Sequence, residues 1–178
     1  MDDRQTQNEW PRAWLMTDKR LGDALWDVLA QMPAGAGVVL RDSSIGQRVA
    51  LCCKDNGLML AVARDVALAD RLGAALVHNP ASITKLPFSR SIHDEAEARL
   101  AKADGATLVF VSPVFPTRSH PGGDALGVND AARLAKIAGV PAIALGGMNG
   151  ERFAALALRG FYGWAGIDAW LNHACLKI

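Results

Sequence analysis

Two stretches decide how this chain is read: TLVFVSPVFPTRSHPGG at residues 107–123 and PAIALGGMNG at residues 141–150. Each opens on a short apolar run and stops at proline or glycine, the mark of a buried strand ending in a turn. In the second, Gly146 and Gly147 are followed by Asn149 or Gly150 heading a helix-like segment, ERFAALALR, that closes before Gly160. Strand, glycine turn and helix in that order make half of a parallel βα unit.

Working outward, the same unit recurs. Strand-like runs lie at Ala13 to Thr17, Gly37 to Arg41, Leu58 to Val62, Ala75 to His78, Leu86 to Ile92, Thr107 to Ser112, Pro141 to Leu145 and Gly163 to Ile167, eight in all. Between them, Leu21, Leu25, Val28, Leu29 and Met32 share one helical face ahead of Pro33. Asp94 heads EAEARLAKA, with Ala96, Leu100 and Ala103 as its expected apolar stripe, and Asn129 heads DAARLAKIA before Gly139. Eight βα repeats predict an α/β fold of the (β/α)8 TIM-barrel type in one domain, residues 1–178. Such barrels typically take about 250 residues, so this one is shortened, and a doubly wound sheet with fewer strands is the alternative. Between His78 and Leu86 the chain has only NPASITK, which predicts that the helix after strand four is reduced or missing.

Composition sets the outer limits. Apolar residues make up 51% of the chain and charged residues 21%, a balance that buries a core and is unlike a disordered segment. Nineteen Lys and Arg against eighteen Asp and Glu leave a formal charge of +1, so no overall field recruits nucleic acid or an anionic membrane. Any anion site must be local. Cys52, Cys53 and Cys175 form neither a CxxC metal pair nor an even disulfide framework, and the Cys52-Cys53 pair reads as buried packing. The N-terminal MDDRQTQNEW is polar where a signal peptide would be basic and then apolar, and no run approaches the roughly 20 apolar residues that span a bilayer. A soluble, cytoplasmic protein is expected.

In a parallel α/β fold the chemistry sits at the carboxyl ends of the strands. The loop after the sixth run carries Thr117, Arg118, Ser119 and His120 among prolines that forbid a helix. Gly146 and Gly147 after the seventh run and Gly166 after the eighth let backbone N–H groups approach a phosphate, aided by the helix start that follows. A tight turn explains one such glycine pair equally well. Two glycine-lined ends on neighbouring strands favour phosphate binding.

Together, GATLVFVSPVFPTRSHPG, VPAIALGGMN and GWAGIDAWL resemble the second half of the thiamine-phosphate synthase family, which includes the thiazole tautomerases. The likeness continues upstream in Trp14-Leu15-Met16-Thr17-Asp18, Val39-Leu40-Arg41-Asp42 and Ser91-Ile92-His93, and is weak between Ser44 and Ser82. It implies a barrel that joins hydroxymethylpyrimidine pyrophosphate to hydroxyethylthiazole phosphate. Pyrophosphate leaves, a stabilised pyrimidine cation forms, and the thiazole nitrogen captures it. Such a transferase depends on positioning and charge neutralisation more than on a protein nucleophile. Carried onto this chain, the resemblance rests the thiazole phosphate on the backbone of Gly146, Gly147, Gly166 and Ile167, with Thr117 and Ser119 reaching in. It sets Arg41 toward the pyrophosphate and Ser91 against the pyrimidine.

The departures bear on the metal. The family holds magnesium through carboxylates after strands three and four, where this chain has Ala63-Arg64 and His78-Asn79-Pro80-Ala81-Ser82, so magnesium is implied by the resemblance while its ligands are missing. A family lysine near Ser43 is absent, and another appears as His120, for which two readings stand: protonation beside a phosphate, and an exposed loop histidine with no task. Asp168 stands where the family usually has serine, and is expected to cap the following turn with its side chain away from the phosphate. His93 is expected to cap the helix that follows it. Three readings stay open: an enzyme that couples the two halves, a thiazole phosphate tautomerase with His120 as acid and base, and a non-catalytic binder of a phosphate ligand. The histidine expected of the tautomerase falls at Pro113. The partners implied are the two small phosphorylated molecules; nothing calls for nucleic acid or membrane, and a homo-oligomer is compatible with the sequence.

Overall fold

The computed structural model describes residues 10–118 and 122–171. Eight parallel strands close into a barrel in chain order: β1 (Ala13–Met16), β2 (Gly37–Leu40), β3 (Met59–Ala63), β4 (Leu76–His78), β5 (Phe88–Ile92), β6 (Leu108–Val111), β7 (Ala142–Leu145) and β8 (Gly163–Gly166). Trp14 of β1 sits in register with Gly37 of β2 on one side and Ala165 of β8 on the other, which closes the ring and removes every sheet edge. The doubly wound alternative is thereby excluded.

Helices α1 (Ala24–Gln31), α2 (Gly46–Asp55), α3 (Val66–Leu72), α4 (Glu95–Ala103), α5 (Gly127–Ala138) and α6 (Gly150–Ala157) fill the crossovers. The predicted stripe of α1 is all buried, from Leu21 through Leu25, Val28 and Leu29 to Met32. Asp94 and Asn149 cap α4 and α6 as expected, accepting from the N–H groups of Glu97 and Arg152 at 2.8 Å each. Two expectations are corrected. In α4 the buried residues are Ala98 and Ala101, while Ala96, Leu100 and Ala103 face solvent. Both stripes are apolar at helical spacing, and the smaller pair lets the helix backbone lie close to the sheet. α5 begins at Gly127, two residues before Asn129, with no side-chain cap.

Between β4 and β5 the segment at residues 79–87 contains bends and irregular backbone. Asn79 and Arg64 adopt positive φ, 48° and 69°, and tie the strand ends together. The Arg64 N–H donates to the carbonyl of His78 at 2.8 Å, and the Asn79 side chain accepts from the Ser91 N–H at 2.8 Å. Outside, the Arg90 guanidinium lies 5.3 Å from the centre of the Phe88 ring and pairs with Asp104 at 3.1 Å, so an arginine stem and head cover strand surface here.

Trp14 and Phe110 meet edge to face inside the barrel at 5.7 Å, and His78 meets Phe110 at 4.9 Å. Gly37 leaves room for this filling: a Cβ there would lie 2.2 Å from the Trp14 indole. Trp170 stacks on Trp164 and donates its indole N–H to the Trp14 carbonyl at 3.0 Å, packing the last turn onto the barrel. No helix among the described residues is long and apolar enough to cross a membrane.

Candidate functional site

The carboxyl ends of the strands surround a cavity of about 390 Å³. Its wall is built where the loop after β6 meets the end of β7. The loop after β6 folds back onto the end of β7, with the N–H groups of Val114 and Phe115 donating to the carbonyls of Leu145 and Gly146 at 2.9 and 3.1 Å. That contact is why residues 146 and 147 are glycine. A Cβ on Gly146 would stand 2.7 Å from Pro113 Cα, and one on Gly147 would stand 2.7 Å from the Pro116 carbonyl oxygen. Both also hold positive φ, 94° and 60°. Arg152 of α6 fastens the junction, donating to the Gly147 carbonyl while its guanidinium lies 4.9 Å from the centre of the Phe115 ring. Arg152 was not among the expected residues, since its spacing from Phe115 in sequence conceals the contact.

Arg41, Thr117, Gly146, Gly147, Gly166 and Ile167 all line this cavity. The Arg41 N–H donates to the buried hydroxyl of Thr17 at 2.9 Å, so the end of β1 fixes the start of the arginine. Ser119 and His120 lie outside the described residues. Ser91 is set apart: its hydroxyl accepts from the Asn79 amide at 3.0 Å and lies 3.2 Å from His78 Nε2. His78 Nδ1 in turn lies 2.9 Å from the Ser89 hydroxyl. Burial, reinforced by the charges of Arg41 and Arg90, pushes the His78 pKa down to about 4, so the ring is neutral at physiological pH. This His–Ser–Ser–Asn network escaped the sequence reading because strand alternation alone does not say which residues of so short a strand face the barrel interior.

Charge at the mouth is organised by arginine. Asp18, at the end of β1, accepts from the Arg20 N–H and from Arg20 Nε at 3.0 Å each, and faces Arg41 at 3.7 Å. Although burial raises the Asp18 pKa, these bonds and charges outweigh it and hold the carboxyl below its usual range. The expectation that Asp168 caps the turn at Asp168–Trp170 and faces away is corrected: it makes no cap, lines the cavity and pairs with Arg118 at 3.0 Å and Arg20 at 3.7 Å. Ion pairing with two loop arginines draws the carboxylate inward. His93 lines the cavity too, while its N–H and Nδ1 meet the Glu97 carboxylate at 2.7 and 2.8 Å beside the α4 cap.

These residues do not fit magnesium. Among the described residues no three His, Cys, Asp or Glu side chains converge on one point. The ends of β3 and β4 offer Arg64, His78 and Asn79, and Asp18 and Asp168 face guanidiniums. A hard cation that takes carboxylate oxygens has no ready set here. Arg64 does not line the cavity.

Comparison with known proteins agrees with this architecture. Residues 43–170 match the family model for thiamine monophosphate synthase. The chain is 30% identical over 185 residues to a protein of Aquifex aeolicus named "Putative thiamine-phosphate synthase 2", covering 92% of this chain and all of that one. It is 34% identical over 128 residues to the thiamine-phosphate synthase of Chromobacterium violaceum, covering 64% of this chain and 58% of that protein. In three dimensions it superposes on the thiamine phosphate pyrophosphorylase of Pyrococcus furiosus with a TM-score of 0.75 at 19% identity, covering 95% and 92% of the two chains, a likeness of fold. By its sequence match across most of the barrel, the chain belongs to the thiamine monophosphate synthase family.

Proposed function

We propose that this protein binds a thiazole phosphate in the cavity and joins it to hydroxymethylpyrimidine pyrophosphate, with release of pyrophosphate. The observation that carries the reading is that the glycine-lined ends of β7 and β8 open onto one cavity together with Thr117 and Arg41. Neighbouring strand ends of this kind, followed by helix starts, present backbone donors to a phosphate. In the proposed reaction the bond from the pyrimidine methylene to the pyrophosphate oxygen breaks, and the thiazole nitrogen gives its lone pair to the carbon. Arg41 and Arg118 neutralise charge on the leaving group. Ser91, Ser119 and His120 are assigned by family resemblance: Ser91 to the pyrimidine, Ser119 to the phosphate, and His120 as a cation or acid beside it.

Against a tautomerase stands Pro113, which lines the cavity at the place of the histidine expected of that branch and offers no titratable group. Calorimetric titration with the thiazole phosphate tests the reading. Binding is expected in the wild type, weakened several-fold in T117V, with thiamine phosphate formed once the pyrimidine pyrophosphate is added. Absence of binding would overturn it; binding without product would leave a phosphate-binding member without the coupling activity.

A further inference from the structure

Five charged side chains from four loops alternate in sign across the cavity mouth. Arg118, after β6, faces Asp168 at 3.0 Å, and Asp168, after β8, faces Arg20 at 3.7 Å. Arg20 and Asp18, after β1, pair at 3.0 Å, and Asp18 faces Arg41, after β2, at 3.7 Å. Asp124 lines the cavity as well, so the mouth holds guanidiniums and carboxylates side by side, and what it offers an anion is positioned N–H donors. Asp18 and Asp168 are each shared between two arginines and hold those cations in place, and among the described residues no three acidic, histidine or cysteine side chains converge on a metal.

We propose that this mouth recognises a diphosphate group through Arg20, Arg41 and Arg118 without a divalent cation. The inference rests on the reading of the cavity as a site for phosphorylated substrates, and deepens it at the leaving group. A guanidinium presents a rigid fork of N–H donors that matches two phosphate oxygens at once. A diphosphate has oxygens enough to span two such forks, whereas a monophosphate fills one. Arginines already steered by Asp18 and Asp168 lose less side-chain freedom on binding than free ones would. Fixed cations aimed at a departing anion do the charge neutralisation that a metal otherwise supplies. Magnesium would then act as a competitor, since it complexes the free diphosphate and lowers its charge.

The test is titration of the chelator-treated and dialysed protein with inorganic pyrophosphate, with and without magnesium, beside a parallel titration with the thiazole phosphate. Pyrophosphate is expected to bind as tightly without magnesium as with it, or more tightly. R41Q and R118Q should each weaken binding at least fivefold, while R99Q on the outer surface of α4 leaves it unchanged; thermal melts of all three establish that the fold is intact. Binding that requires magnesium, or R41Q and R118Q that bind like the wild type, would overturn the inference. If the thiazole phosphate binds and pyrophosphate does not, the metal-free diphosphate site falls and the proposed function stands. If only pyrophosphate binds, the reverse holds, and binding of neither overturns both.

Discussion

Gly146 carries two constraints that a single residue type satisfies. Its φ of 94° disfavours any side chain, and Pro113 Cα would stand 2.7 Å from an added Cβ. G146A should therefore lower unfolding free energy by about 2 kcal/mol, read by urea denaturation, because the backbone strain and the clash with a rigid neighbour act together. His78 offers a pH prediction. Its pKa falls from 6.5 in the unfolded chain to about 4 in the fold, chiefly through burial. The unfolded state thus takes up a proton that the fold refuses, so stability is full above pH 6.5 and drains away as pH falls toward 4. The loss approaches about 3 kcal/mol at the acid end. Denaturation of wild type and H78Q across that window is the check, and the variant should show the flatter profile. Cys53 is buried, and burial first, then the neighbouring Cys52, pushes its thiol up to about 12. Alkylation near pH 8 should leave Cys53 unmodified until denaturant is added, as mass spectrometry of the peptide would record.

At the scale of elements, α4 separates what spacing can and cannot tell. Its cap, Asp94, was legible because the chemistry of a helix start is local. Its buried face was not, because alanines lie on both sides and only the neighbours choose between them. On its outer side Glu95 accepts from Arg99 on its own helix and Arg133 on α5, and those two arginines hold its carboxyl below the usual range. L100Q, on the 59% exposed leucine, should change stability by less than about 0.5 kcal/mol, whereas A101L should overpack the contact and cost about 1–3 kcal/mol. Equilibrium urea unfolding of the pair distinguishes the observed face from the predicted stripe. N149A should cost α6 about 1 kcal/mol by the same measurement, since the side chain caps the Arg152 N–H.

For the whole molecule, closure concentrates stability where β1 and β8 meet. Trp170 is 3% exposed, stacks on Trp164 at 5.2 Å and bonds to the Trp14 carbonyl. W170A should cost about 3–5 kcal/mol, seen as a large fall in the thermal midpoint, because it empties a buried volume and strips a partner from the ring-closing strand. The same closure brings the end of β1 and the loops after β2, β6 and β8 around one cavity, and lets Arg20 pair with both Asp18 and Asp168, 150 residues apart in the chain.

Strand runs, the caps of α4 and α6, glycine turns and the loss of the family's metal carboxylates were set by the sequence itself, because each depends on residues that are neighbours along the chain. Four matters were decided only by tertiary structure: the rotation of α4, the burial of His78 against Ser89 and Ser91, the packing of Gly146 and Gly147 under the Pro113–Pro116 loop, and the arginine–carboxylate series at the mouth. Each of these depends on atoms brought together by barrel closure, and distance in space is a quantity that periodicity and spacing do not encode.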